Sequence, residues 1–343
     1  MGYGFCCIFL ARRIGRVEDG SAFVFPAFLF MAKGRKDFGS MAEPIRILLT
    51  GASGFLGRQV SEHLASQGHH VTGVGRDRKQ EISCDEWISM DLLECDMDRL
   101  VELAKPDVLI HLAWVTRHGQ FWTAAENLTW VGASLRLLLA FAAGGGKRAI
   151  FAGTCAEYDL AAEPEKFKES MTASAPSMLY GVAKDATRRV CESYCSQTGV
   201  SFAWARLFFL FGPFEDPGRL GGSICRALTS GQEARCSSGR QVRDFLSTVD
   251  AGAAIAELAL SKAEGPVNIG SGQAMTIAQF AEAFGRASGN PDLIRLGALA
   301  DRPGEPRRIV ADITRLEQEV GFRSAATFEQ RVQETLDWWR ASL

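Results

Sequence analysis

The 343-residue sequence predicts an α/β fold: a doubly wound, mostly parallel sheet with a smaller C-terminal lobe. Three observations carry this expectation. Short β-rich runs alternate with helical runs from Ile45 to Leu207. The first run leads through a glycine-rich turn into a helix. After Gly212 the alternation loosens into loops containing Gly and Pro. Regular strand–helix alternation requires parallel strands, because each crossover must return across the sheet and lands its helix on a face.

The elements follow in order. Ile45–Thr50 is apolar and β-prone, as a buried strand must be. Gly57–Gln67 reads as a helix, His70–Gly75 as a second strand and Trp87–Met90 as a short third one. Asp98–Ala104 is helical and Asp107–Leu112 is the fourth strand. A long helix over Ala124–Ala143 precedes a fifth strand, Arg148–Ala152. A second long helix, Tyr180–Thr198, precedes a sixth strand, Ser201–Leu207. Beyond it lie Gly221–Ser230, Val242–Val249, Asp250–Leu260, Val267–Ile269 and Thr276–Ala287, the pieces of a lobe woven back onto the first unit. There is no internal repeat or low-complexity tract.

Composition narrows the function classes. Apolar residues are 47% and charged residues 23%, enough to bury a sizeable core and unlike a disordered chain. The formal net charge of −2 argues against a nucleic-acid partner held by bulk positive charge. Residues 1–40 differ from the rest: six bases against three acids give +3, leaving −5 for the remainder. Their two apolar stretches, Phe5–Leu10 and Ala22–Ala32, fall short of the roughly 20 residues a membrane span needs. We expect residues 1–40 to be an extension outside the fold, with Met41 as the natural start. The nine Cys include no CxxC pair, and the five His have no zinc-finger spacing to them. No metal site is expected, and a reduced, cytoplasmic protein is the simplest reading. Cys191 and Cys195 share a helical face and are read as packing residues.

The first loop, Gly51-Ala52-Ser53-Gly54-Phe55-Leu56-Gly57, is where chemistry enters. A chain that turns sharply and approaches a pyrophosphate closely needs glycine at the contacts, and the helix that follows presents unpaired N–H groups to the phosphates. Strand, loop, helix and second strand arrive in the order of a dinucleotide-binding Rossmann unit. The organisation expected is therefore 41–212 as a cofactor domain and 213–343 as a substrate lobe. The second strand ends Val74-Gly75-Arg76, followed by Asp77, Arg78 and Lys79. A small residue plus Arg leaves room and charge for a 2′-phosphate, so NADP is favoured, with NAD as the alternative. Asp91, beside Leu92 at the end of the third strand, suits a hydrogen bond to the adenine amine.

Tyr180 and Lys184 lie four apart on one helical face. A carbonyl or alcohol undergoing hydride transfer needs a proton donor or acceptor at its oxygen. Tyrosine ordinarily titrates near 10, and a neighbouring Lys charge brings it toward the working range. Thr154, 26 residues earlier, leaves a strand end with a hydroxyl able to bond the same oxygen. Packing readings exist for each residue, but the three together point to a catalytic set.

These residues resemble the extended short-chain dehydrogenase/reductases, in particular the nucleotide-sugar epimerase/dehydratase family, from about Ile45 to the C-terminus. Thr50–Gly57 (TGASGFLG) is similar to the family's cofactor loop, and His111-Leu112-Ala113 to its fourth-strand motif, which lies along the cofactor. Thr154, Tyr180 and Lys184 match its catalytic triad. Arg206–Pro213, the segment Arg243-Asp244-Phe245…Asp250, Val267–Gly272 and Arg302-Pro-Gly-Glu305 match further motifs in family order. The resemblance implies that Arg243 and Arg302 meet the diphosphate of a nucleotide sugar, a role suited to guanidinium forks. It also implies a homodimer built on a four-helix bundle of the two long helices, and no membrane partner.

Departures from the pattern refine this. Cys155 and Ala156 stand where 4,6-dehydratases carry Asp-Glu, so dehydration is not expected. Glu157, two positions late on an alternating segment, need not face the site. Phe209 replaces a common Asn that holds the substrate phosphate. In the loop after the fourth strand, His118 could serve as an extra acid or base, and Trp114, Phe121 and Trp122 could stack on a sugar or base or simply pack. The reading is an epimerase or 4-ketoreductase acting at C4 of a nucleotide-linked hexose. The alternatives are a reductase of a non-nucleotide carbonyl and a non-catalytic NADP-binding regulator.

Overall fold

Five strands from the N-terminal half and two from the C-terminal half form a single parallel sheet in the computed structural model, which describes residues 44–78 and 82–342. Residues 1–40, the start expected at Met41 and Lys79 lie outside the described residues. The sheet strands are β1 (Arg46–Thr50), β2 (His70–Gly75), β3 (Glu86–Ser89), β4 (Val108–His111), β5 (Arg148–Thr154) and β6 (Ser201–Leu207). Two-residue or three-residue strands follow: β7 (Phe209–Phe211), β8 (Ala234–Arg235), β9 (Val242–Arg243) and β10 (Phe245–Ser247). The seventh sheet strand is β11 (Gly265–Ile269), and β12 (Met275–Thr276), β13 (Ile294–Arg295) and β14 (Arg308–Ile309) complete the set. The order across the main sheet is β11-β6-β5-β4-β1-β2-β3. Strand order reverses between β1 and β4, which opens a crevice at their C-terminal ends. The candidate cofactor residues Gly51–Gly57, Leu112 and Ala113 follow the C-terminal ends of β1 and β4.

Helices cover both faces. One face carries α1 (Gly57–Ser66) and α6 (Thr248–Leu260), packed through Val60, Leu64, Ala254, Ile255 and Leu258. The other carries α2 (Met97–Ala104), α3 (Glu126–Ala143) and α4 (Leu179–Thr198), with Leu100, Leu137 and Phe141 against the sheet. Cys191 and Cys195 are buried in this second layer, as packing residues. α5 (Leu220–Thr229), α7 (Ile277–Ser288) and α8 (Phe328–Ser342) surround a third core built on aromatic rings, with Phe245 stacked on Phe280 at 4.0 Å.

The local sequence explains the boundaries. Asp96 caps α2 by accepting from the N–H groups of Asp98 and Arg99. Thr276 and Gln279 form a reciprocal capping box at the start of α7. Gly199 ends α4 in the left-handed conformation that glycine adopts without strain. Observed strands differ from the expected ones at the ends: β3 begins and ends one residue early, and β5 runs two residues further, to Thr154. α8 has no counterpart among the expected elements, although Val332, Leu336 and Trp339 form its buried stripe.

The sheet and α6 are locked by Arg148 at the start of β5. Its buried guanidinium donates to the carbonyls of Ala259 (3.0 Å), Leu258 (2.8 Å) and Ala263 (2.7 Å) at the end of α6. Arg148→Met keeps the apolar stem but orphans the carbonyls of Ala259 and Ala263, while that of Leu258 keeps the Ser261 hydroxyl, at a cost of about 3 kcal/mol. Urea unfolding of the two proteins measures this; a loss below about 1 kcal/mol would show that the carbonyls find other donors.

Candidate active site

The cofactor loop is built around two glycines. Gly51 has φ +70°, and a Cβ there would lie 2.9 Å from the backbone nitrogen of Ala113. Gly57 opens α1 so close to the loop that a Cβ would sit 2.1 Å from the Gly51 carbonyl oxygen. The turn is therefore pinned between the ends of β1 and β4. No side chain caps the first turn of α1, and no acid lies in it. Leu56 and Gly57 are buried, Ser53 and Phe55 are half-buried and Gly54 is exposed at the mouth. Such a cradle fits a dinucleotide pyrophosphate, because side chains are missing where a close approach requires it.

The floor of the cradle is a directional hydrogen-bond chain. The backbone N–H groups of Leu112 and Ala113 donate to Thr50 Oγ1 at 3.1 and 3.2 Å. Thr50 Oγ1 meets His111 Nδ1 at 2.7 Å, and His111 Nε2 meets Ser134 Oγ at 2.8 Å. Ser134 spends its proton on the Trp130 carbonyl, so His111 carries its hydrogen on Nε2 and accepts on Nδ1. Burial, with Lys184 nearby, lowers its pKa to about 3. Unfolded histidine titrates near 6.5. This group's contribution to stability is therefore complete above pH 6.5 and falls as the pH drops toward 3. His111 is thus a neutral core residue whose backbone borders the cradle.

Other cofactor candidates lie around the same crevice. Asp91 Oδ1 accepts from the Leu93 N–H at 3.0 Å, which fixes the turn after β3, and Leu92 is buried beneath it. Arg76 and Asp77 are exposed just past β2. Trp87 of β3 packs over Gly73 and Gly75, at 2.8 and 3.1 Å from the positions of added Cβ atoms. The small residues at the end of β2 thus make room for this indole.

Thr154 and Tyr180 are close neighbours, and Lys184 lies one helical turn beyond Tyr180 on α4. Thr154 ends β5; its hydroxyl accepts from the Ala156 N–H at 3.2 Å and acts on the Tyr180 phenol, pulling its pKa down. Tyr180 opens α4 and is fixed by its own N–H to the Trp122 carbonyl (3.1 Å) and by the edges of Phe121 (4.9 Å) and Trp122 (5.8 Å). Burial pushes the phenol's pKa up, while Thr154 and Arg219 pull it down. Lys184 lies one helical turn on; its Nζ donates to the Ala152 carbonyl at 2.8 Å and sits 3.7 Å above the Trp114 ring. Burial lowers its pKa to about 7, opposed by the charge of Glu157. Trp114 itself is buried, with its indole N–H on Asn127. It packs beneath Lys184, which selects the packing role over stacking on a ligand.

Glu157 is buried, contrary to the outward orientation that alternation allows. The strand ends at Thr154, and a 3₁₀ turn over Cys155–Glu157 carries Glu157 back inward. Its Oε1 accepts from the Thr154 N–H at 2.7 Å and from the Trp204 indole at 2.8 Å; Oε2 accepts from Arg206 Nε at 2.9 Å. The spacing Thr154-x-x-Glu157 is that of a capping box, the signal that identifies it in sequence. Cys155 is buried and its pKa is pushed up to about 12, so it is a protonated thiol.

On the substrate side, the segment Arg243-Asp244-Phe245 divides its work. Asp244 accepts from the backbone N–H groups of Ser271, Gly272 and Ala311 and is purely structural. Phe245 enters the aromatic core. Arg243 is buried, pairs with Glu305 at 3.1 Å and lies 5.3 Å from the centre of the Phe209 ring. Phe209 thus stands in β7 as the packing partner of this guanidinium. Arg302 is exposed three residues before Glu305. His118 is exposed, and Trp122 is 38% exposed over Tyr180. One cation escapes sequence reasoning: Arg219, the half-buried residue before α5, reaches the Thr116 carbonyl at 3.5 Å. It sits in a Gly/Pro loop with no periodic signal. Among the described residues, no group of three His, Cys, Asp or Glu is placed to hold a metal, and no helix is long and apolar enough to cross a membrane.

Comparison with known proteins finds relatives over most of the chain. The model of the NAD dependent epimerase/dehydratase family matches residues 47–270. UDP-glucuronic acid decarboxylase 1 of Xenopus tropicalis is 26% identical over 349 residues, covering 97% of this chain and 79% of that one. A probable UDP-glucuronate 4-epimerase of Rhizobium meliloti is 26% identical over 335 residues, covering 86% of this chain and 97% of its own. Among solved structures, UDP-N-acetylglucosamine 4-epimerase from Methanobrevibacter ruminantium superimposes with a TM-score of 0.79 at 23% identity, covering 88% and 100% of the two chains. UDP-glucose 4-epimerase of Thermus thermophilus, in complex with NAD, gives 0.76 at 23%, covering 87% and 100%. At these identities the solved structures speak for the fold.

Proposed function

The chain belongs to the NAD dependent epimerase/dehydratase family, and on that premise we propose that it transfers a hydride at C4 of a nucleotide-linked hexose. The observations that support this reading are Thr154 acting on the Tyr180 phenol, Lys184 one helical turn on and seated against Trp114, and the Gly51–Gly57 turn pinned to the adjoining Leu112 and Ala113. When bound there, the nicotinamide supplies or accepts the hydride. Tyr180 transfers the proton at the C4 oxygen, Thr154 holds that oxygen, and Lys184 grips the ribose and lowers the phenol's pKa. Cys155 and Ala156 offer no acid or base for elimination of water. In a 4-epimerase the keto sugar turns over before the alcohol is re-formed; in a 4-ketoreductase the alcohol departs. Arg243 and Arg302 are assigned to the diphosphate, and Arg219 adds a third cation facing Tyr180. Phe209, His118 and Trp122 would border the sugar.

Arg76 supports NADP, and the relatives that bind NAD support the other cofactor. If the 2′-phosphate is held by Arg76, Arg76→Ser weakens NADP binding about tenfold and leaves NAD unchanged. Fluorescence titration with both reduced cofactors reads this, and equal losses would remove the assignment. The two reactions are separated by incubation with NADPH and a 4-keto-6-deoxy nucleotide sugar. Consumption identifies the reductase; no consumption together with tightly retained NAD identifies the epimerase.

The homodimer is proposed on the outer faces of α3 and α4, where Leu128, Leu139, Val182 and Val190 are exposed. Sedimentation at micromolar concentration giving only the monomer would exclude it. A reducing, cytoplasmic setting fits the seven described cysteines, all of them free thiols.

A further inference from the structure

Glu157 has no place in the proton transfer above, yet it is a buried carboxylate bonded directly to the backbone of Thr154. Its oxygens satisfy the Thr154 N–H, the Trp204 indole and Arg206 Nε, with Arg188 Nε 3.9 Å away. The neighbouring Gly153 leaves the space: a Cβ there would lie 2.0 Å from Trp204 Nε1 and 2.6 Å from Glu157 Oε1. Trp204 spans from the carboxylate to Lys184, whose Nζ is 6.0 Å from the centre of its indole ring. One carboxylate thus fixes the turn presenting Thr154 and faces the ammonium that serves Tyr180.

We propose that Glu157 is a positioning residue: it holds the backbone that presents Thr154 and supplies the negative charge that keeps Lys184 an ammonium. The proposal rests on the assignment of Lys184 to the cofactor ribose. A purely structural ion pair is the competing account, because Arg206 also links the cluster to Ser174 and stacks on Tyr158.

The groups facing Lys184 and Glu157 can be enumerated among the described residues. They include His111 of β4, Cys155 and Tyr158 beside the turn, Arg206 of β6, and Tyr180, Asp185 and Arg188 of α4, with Arg188 paired to Asp185 and Glu192; burial raises the pKa of the Glu157 carboxyl itself, and Arg206 opposes that. Burial keeps His111 neutral, with a pKa of about 3, and holds Cys155 and Tyr158 protonated up to about 12. The phenol of Tyr180 is raised as well, and both arginines stay charged. Across pH 6 to 9 the group whose charge changes is Lys184, near 7. Without the negative charge of Glu157 the amine loses its proton at a lower pH.

The test is the pH dependence of NADH and NADPH affinity in E157Q, in the charge-balanced double variant E157Q/R206Q, and in E157D. The proposal predicts that E157Q binds cofactor progressively worse as pH rises, with about tenfold more weakening at pH 8.5 than at pH 6, and that E157Q/R206Q, which removes a positive charge with the negative one, shows the same trend in smaller measure. E157D, which keeps the charge, recovers the wild-type profile. Weakening by the same factor at every pH would overturn the proposal in favour of a structural role. So would unchanged binding, or two neutral variants too unstable to purify. A wild-type protein that binds neither cofactor would instead remove the functional reading itself.

Discussion

Tyr180→Phe is expected to lower turnover about a thousandfold while leaving the melting temperature and cofactor affinity close to those of the parent. The expectation follows from where the ring is held. Its position is set by the N–H bond to the Trp122 carbonyl and by the edges of Phe121 and Trp122. None of these involves the phenol oxygen, so phenylalanine occupies the same space. What disappears is the phenol hydroxyl, the group to which the proton transfer is assigned, together with its interaction with Thr154. Lys184→Met is different, because it removes the ammonium from both the phenol and the ribose site; turnover and cofactor affinity should fall together. Rates of Tyr180→Phe within tenfold of the parent would mean that another group moves the proton.

Gly57→Ala should abolish detectable cofactor binding and cost about 3 kcal/mol of stability. The added Cβ would lie 2.1 Å from the Gly51 carbonyl oxygen and 2.8 Å from the Ala52 Cα. Both are backbone atoms, so no rotamer change relieves the contact and the loop must move away from α1. A matched control is Gly132→Ala in α3, where nothing lies within 4 Å of the new atom. That substitution should be neutral or stabilising by up to about 1 kcal/mol, since alanine is the better helix former. Equal effects of the two substitutions would show that the clash at Gly57 has no bearing on the cradle.

The contrast between those residues and Glu157 shows how far sequence reaches. Gly51, Gly57, Tyr180 and Lys184 are legible because their meaning is local: a turn between a strand and a helix, or two positions four apart on one helix. The sheet is legible for the same reason, since each strand and helix has its own period and their alternation dictates parallel pairing. Glu157 is less so, because its orientation depends on where β5 stops and the 3₁₀ turn begins, a difference of two residues. Arg219 is illegible: its place beside Tyr180 is set by a Gly/Pro loop with no period and by the distant Thr116 carbonyl. Trp114 reads equally as a stacking or packing residue until Lys184 is seen above its ring. Two-residue strands such as β8 and β13 carry too few residues to show any alternation. Their pairing is made by the lobe's packing, which is a long-range property.

The central claim is hydride transfer at C4 of a nucleotide-linked hexose with Tyr180 as the proton-transfer group. Its most direct test uses NADH and NADPH carrying deuterium at C4 of the nicotinamide, incubated with a nucleotide-linked 4-keto hexose, with the label located by NMR and mass spectrometry. The account predicts deuterium at C4 of the hexose with at least one cofactor, and its loss in Tyr180→Phe. A ketoreductase gives this result by turnover with the added cofactor; an epimerase, which retains its nicotinamide, gives it once the labelled reduced cofactor has been loaded in place of the bound one, because each passes a hydride to that carbon. Label reaching only carbonyl compounds without a nucleotide, or appearing at C4 undiminished in Tyr180→Phe, would contradict it.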